Sequence, residues 1–220
     1  MTAFVFVLDP ESVVIGMDTL AVRADDKASH MYASKILPLP HLGGVVCGTG
    51  SQRMALEWYL ELQTMVLARD FDYVNEIASD QLRALWARLD EPGTSTIYHF
   101  GYSPPEDAYV GHAFRSTNDF VSERLDYGLG FRPVHDELVQ IAPALYAELG
   151  AHEAVLRLIE TARRLDDELP MSERVGVGGE VHMLTLTAGR QIGWATRPWS
   201  DFESTFEEML ERLGEENADG

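Results

Sequence analysis

The chain has 220 residues, 45% of them hydrophobic and 24% charged, enough to bury a sizeable core in one large domain. Its formal net charge of −19 argues against nucleic acid or an anionic membrane as a partner, because both repel an acidic surface. No apolar run approaches the ~20 residues of a membrane span, and the single cysteine, Cys47, rules out an intrachain disulfide and fits a reducing, cytoplasmic setting.

In chain order, Thr2–Leu8 and Val13–Met17 are β-branched and aromatic runs flanking Asp9-Pro10-Glu11-Ser12, which predicts an N-terminal hairpin. Because its apolar start is short and lacks a basic flank, it does not read as a signal peptide. Ala24–Ala33 is polar and mixed and reads as a loop. Lys35–Leu39, with Pro38 and Pro40, reads as an edge strand, and Leu42–Cys47 as a buried one. Over Met54–Leu67, residues Met54, Trp58, Leu62 and Met65 recur every three or four positions, which predicts a helix capped by Ser51. A second helix is predicted over Tyr73–Leu89, ended by Glu91-Pro92-Gly93.

Ser95–Tyr102, Ala108–Phe114 and Phe120–Leu125 then read as a meander, with Ser116-Thr117-Asn118 as a turn and Gly128-Leu129-Gly130 as a break. Helices are predicted over Asp136–Leu149 and His152–Leu165, joined at Gly150. A hairpin of Val181–Leu186 and Gln191–Ala195 should turn across Ala188-Gly189-Arg190. A last amphipathic helix covers Asp201–Leu213, and Glu215–Gly220 is expected to fray. Two runs of strands separated by helix pairs suggest an α+β fold: a four-layer αββα sandwich of two antiparallel sheets covered by helices. With no fixed-period repeat or linker composition, the expectation is a single domain over residues 1–220.

Thr2 follows the initiator methionine and is small enough for Met1 to be removed. Its freed α-amine, with a pKa near ~8, could then act as base for its own hydroxyl. Four stretches containing Thr2, Asp18, Lys35 and Gly48 together resemble the proteasome β-subunit pattern, including the bacterial HslV-type peptidases. The resemblance implies an N-terminal-nucleophile hydrolase and casts Thr2 as nucleophile. Lys35 becomes the cation that keeps the amine unprotonated, Asp18 its anchor, and Gly48 the oxyanion donor. It further implies a pocket lined by Val22, Val46 and Thr49, a peptide or small-amide substrate and a homo-oligomeric ring, with an ATPase partner by analogy. Neither cofactor nor metal is required: His41, His99, His112 and His182 lack ligand spacing, and Cys47 reads as a buried thiol.

The pattern is incomplete. Leu129 takes the place of a serine that supports the amine, and Arg174 and Val177 those of an aspartate and a serine before Gly178-Gly179, with Glu173 as the substitute acid in a shifted alignment. The alternatives are a catalytically impaired scaffold or assembly subunit, and a small-amide hydrolase outside any proteolytic chamber.

Overall fold

The computed structural model describes residues 2–23, 27–90, 92–187 and 191–218, with the backbone alone at 191 and 216–218. The expected hairpin is present as β1 (Phe4–Asp9) and β2 (Ser12–Asp18), paired from Phe4↔Met17 to Asp9↔Ser12. Both strands are nearly continuous apolar runs because both faces are buried. Phe4, Phe6 and Leu8 face a core between two sheets, whereas Val5 and Val7 face helices on the outside.

A short two-stranded sheet follows, β3 (Leu20–Val22) with β4 (Ser29–Tyr32), then β5 (Ile36–Leu39) and β6 (Gly44–Thr49). The expected loop over Ala24–Ala33 therefore contains a strand, with Ala24, Asp25 and Asp26 outside the described residues. Two helices come next, α1 (Gln52–Thr64) and α2 (Phe71–Leu89). The Ser51 hydroxyl accepts from the Met54 amide, as its capping role requires, and Asp70 caps α2 in the same way through the Tyr73 amide. At the far end of α2, the helix gives way to a left-handed Asp90, while Glu91 of the expected terminator lies outside the described residues.

The meander follows as β7 (Thr96–Ser103), β8 (Ala108–Arg115) and β9 (Ser122–Arg124). The break read at Gly128-Leu129-Gly130 is instead strand β10 (Gly128–Arg132), antiparallel to β1. Glycine weakens strand propensity, but here it makes room. A Cβ on Gly130 would sit 2.3 Å from the Phe6 ring, so only glycine lets β10 lie across that side chain. The helical run α3 (Asp136–Asp167) is two helices broken at Gly150, whose φ of 74° and ψ of 176° are not helical. Strands β11 (Glu180–Thr187) and β12 (Gln191–Pro198) complete the sheet begun by β1 and β2, their expected turn at 188–190 lying outside the described residues. The chain continues through α4 (Phe202–Ala218), so the helix persists across most of the segment expected to fray, with 219–220 outside the described residues.

The sheets run β10-β1-β2-β11-β12 and β5-β6-β7-β8-β9, and every pairing is antiparallel. One core packs α1 and α2 on the second sheet, another packs α3 on the first, and a third fills the space between the sheets. This is the expected αββα sandwich, with β5 on an edge as the prolines implied. Among the described residues, no helix is long and apolar enough to cross a membrane.

The α1–α2 core contains one polar chain. Trp58 Nε1 donates to His99 Nε2 at 2.8 Å, which leaves the His99 proton on Nδ1, 2.9 Å from Asn75 Oδ1. Burial, with a smaller push from His112, brings the His99 pKa down to about 3, and a second ring proton would have to point at the indole N–H. In the unfolded chain this imidazole titrates near ~6.5. Stability is therefore full above that value and falls as the pH drops toward the folded pKa. We expect His99→Gln to flatten the acid limb of a stability–pH curve between those two values; an unchanged slope would mean that the ring charges freely inside the core.

Candidate active site

The first described residue, Thr2, precedes β1, and its side chain is buried. It lines a cavity of about 140 Å³ together with Val22, Lys35 and Gly48. Three sequence-predicted residues from separate elements, Thr2, Lys35 and Gly48, thus meet at one cavity, and the fourth, Asp18, sits directly behind it.

Asp18 ends β2 fully buried. Its Oδ1 accepts from the Ala3 amide at 2.9 Å, and Oδ2 accepts from Lys35 Nζ at 3.0 Å and the Gly178 amide at 3.4 Å. Lys35 Nζ also donates to the Leu20 carbonyl at 2.7 Å. With these two partners, the ammonium has a third N–H that is uncommitted among the described residues. Burial pulls Lys35 below its ordinary range, opposed by Asp18. Burial likewise raises Asp18, opposed by Lys35 and by the Gly178 and Ala3 amides. One carboxylate thus fixes a lysine, the start of β1 and the loop before β11.

Gly48 lies one position beyond Cys47, whose pairing with Ile36 is the last between β5 and β6, so on that side it meets the cavity rather than another strand. A Cβ on Gly48 would approach that of Ala55 to 2.4 Å, so glycine allows α1 to pack close against β6. The N-terminal turns of α1, through Gln52 and Ala55, complete the same wall and direct the positive end of the helix dipole toward the cavity.

The pocket residues separate. Val22 lines the cavity beside Thr2. Thr49 lines a second cavity that also includes Thr2. Val46 lines neither: it is fully buried in the α1–α2 core, because alternation along β6 turns it toward the helices. Cys47 faces the core between the sheets, where burial pushes its thiol well up, as an inert buried thiol requires.

The expected departures from the proteasome pattern also look different in three dimensions. Leu129 is paired with Val7, five residues along from Thr2, a separation of roughly 16 Å in an extended strand. At the Thr2 end, β10 presents Arg132, opposite Phe4. Arg174 faces away, donating to the Leu169 and Asp167 carbonyls, and Glu173 is exposed. The acid that sequence reading missed is Asp166, at the end of α3. Its carboxylate accepts from the amides of Val175 at 2.6 Å, Gly176 at 2.9 Å and Val177 at 3.0 Å. It shapes the loop whose Gly178 reaches Asp18. Nothing in local spacing signals this, because its partners are backbone groups nine to eleven residues downstream.

The hairpin over the cavity is held from outside. Tyr32 stacks on Phe202 of α4 at 4.5 Å and donates to its carbonyl at 2.9 Å, and Arg212 reaches the Ser29 carbonyl. These contacts position β3, whose Leu20, Ala21 and Val22 form the apolar side of the cavity.

Two antiparallel sheets covered by helices define a proteasome-like αββα fold. Among solved structures, the chain is similar to an Anbu (Gly-1) mutant from Hyphomicrobium sp. strain MC1, with TM-score 0.66 and 12% identity over 99% of this chain and 97% of that one. It is also similar to Anbu (ancestral β-subunit) from Yersinia bercovieri, with TM-score 0.62 and 11% identity over the same shares. No protein-family model matches the chain, and no curated protein matches it. The resemblance to proteasome β subunits and HslV-type peptidases read from the sequence is corrected accordingly: the structural neighbours are Anbu proteins, proteasome-like but a distinct family. At these identities the likeness establishes the fold.

Proposed function

We propose that this protein is a threonine-type N-terminal-nucleophile amide hydrolase acting through Thr2 after removal of Met1. The observation that carries this reading is the meeting of Thr2, Lys35 and Gly48 at one cavity, with Lys35 held on buried Asp18. In the proposed reaction the α-amine takes the Thr2 hydroxyl proton and Oγ bonds to the substrate carbonyl carbon. The Gly48 amide faces the resulting oxyanion. The C–N bond then breaks, and the proton held by the amine passes to the leaving nitrogen. Water, activated by the same amine, hydrolyses the acyl-threonine ester and restores the hydroxyl. Lys35 disfavours protonation of the amine and stabilises the developing alkoxide. The substrate is a peptide or small amide whose acyl side chain suits the apolar wall of Val22 and Leu20, and the active form is a homo-oligomer.

Intact mass should show loss of Met1, and an electrophilic β-lactone should label Thr2. Thr2→Ala should abolish labelling and lower amide turnover at least roughly a thousandfold. Labelling that persists in Thr2→Ala, or a mature chain that still begins with methionine, would overturn the assignment. Light scattering on the native protein reads the assembly.

A further inference from the structure

Thr2 stands between two cavities, and the second one differs in chemistry from the first. It measures about 230 Å³ and is lined by Thr49, Thr96, Arg115 and Arg132, among others. The register explains its polarity. Thr49 pairs with Thr96, and Thr96 with Arg115, forming one row across β6, β7 and β8. Two residues earlier on β6, the equivalent row is Cys47, Tyr98 and Ala113, all buried in the core between the sheets. Side chains two apart along a strand share a face. The inter-sheet face therefore turns from apolar to polar and cationic where it opens beside Thr2. Arg132 closes the cleft from the other sheet, at the end of β10.

The charge is out of keeping with the chain as a whole, which has 36 acidic against 17 basic residues. Arg115 is paired with Glu123. Arg132 has no carboxylate partner among the described residues, so its guanidinium fork is available to a ligand. The first cavity contains Lys35, Gly48 and the apolar wall, as the acyl half of a substrate would need. The departing half must leave on the other side of the hydroxyl.

Resting on the proposed hydrolase reading, we infer that the second cavity is a leaving-group site for a carboxylate. The amine product released from Thr2 carries an anion one residue or so from the scissile nitrogen, either an acidic side chain or a free α-carboxylate, and Arg132 is its principal partner.

Product fragments test this without relying on turnover. Calorimetry on the full chain and on Thr2→Ala compares Glu-Ala amide, Gln-Ala amide and Gln-Ala free acid. One or both acidic fragments should bind about tenfold more tightly than the neutral amide, and added salt should erode the difference. Arg132→Gln should bring the ratio close to one, and Arg132→Lys should restore part of it. Preference for the first fragment identifies a side-chain carboxylate, and preference for the third an α-carboxylate. Equal binding of all three, or a preference that survives Arg132→Gln, overturns the inference. Matched quenched peptides whose leaving side carries the preferred carboxylate or its neutral amide then separate the two readings. Hydrolysis without acidic preference removes the carboxylate site and leaves the hydrolase. Acidic binding without hydrolysis or Thr2 labelling removes the hydrolase and leaves an anion site.

Discussion

Replacing Lys35 with methionine should cost about 3–5 kcal/mol of unfolding free energy, read by urea denaturation. The ammonium is almost wholly buried, and its loss would leave the Asp18 carboxylate in the interior with only backbone amides for compensation. A second substitution separates architecture from chemistry. In Asp18→Asn/Lys35→Met the buried charge is gone, while the Asn oxygen can still accept from the Ala3 amide. Most of the lost stability should therefore return. Amide turnover should not: without the cation beside Thr2, we expect it to stay at least about a hundredfold below that of the unsubstituted protein. A double variant that regains activity along with stability would show that the pair is only structural. A single variant as stable as the parent would show that the pair is not compensated as its geometry indicates.

Asp166→Ala should be nearly as damaging, at roughly 3 kcal/mol or more, although this side chain does not line the cavity beside Thr2. Its carboxylate is the acceptor for three successive amides, and the shift from helix end to loop depends on it. Removing it strands those donors and frees the segment that carries Gly178 to Asp18. Hydrogen exchange should rise first at Val175 and Val177, before global unfolding, and β-lactone labelling of Thr2 should slow. Asp166→Asn should be intermediate, since one oxygen still accepts but the NH2 group faces donors. Unchanged exchange at Val175 and Val177 would mean that the loop is held by its neighbours instead.

Much of this arrangement was legible in the sequence, for identifiable reasons. The β1–β2 hairpin, α1 and α2 announce themselves because their apolar periodicity, turn residues and cap at Ser51 all agree. Thr2, Lys35 and Gly48 were recognisable as a set, and they do converge on one cavity. What escaped depends on partners distant in the chain. β10 was hidden because its glycines suit the Phe6 ring of another strand, a fit that local propensity cannot register. Val46 was assigned to the pocket by the proteasome resemblance, which does not reveal that β6 here turns it toward the helices. The missing support around Gly178 was sought in side chains at fixed offsets, whereas the structure supplies it from the end of the preceding helix.

The threefold attachment of Asp18 has an evolutionary consequence. A relative with or without hydrolase activity would need this carboxylate to tether its first strand and a distant loop, and would need a buried cation to neutralise it. Persistence of the aspartate–lysine couple in a relative is thus poor testimony of enzymatic competence. The hydroxyl at position 2 is the more discriminating marker, because no hydrogen bond among the described residues ties it into the scaffold as Asp18 is tied.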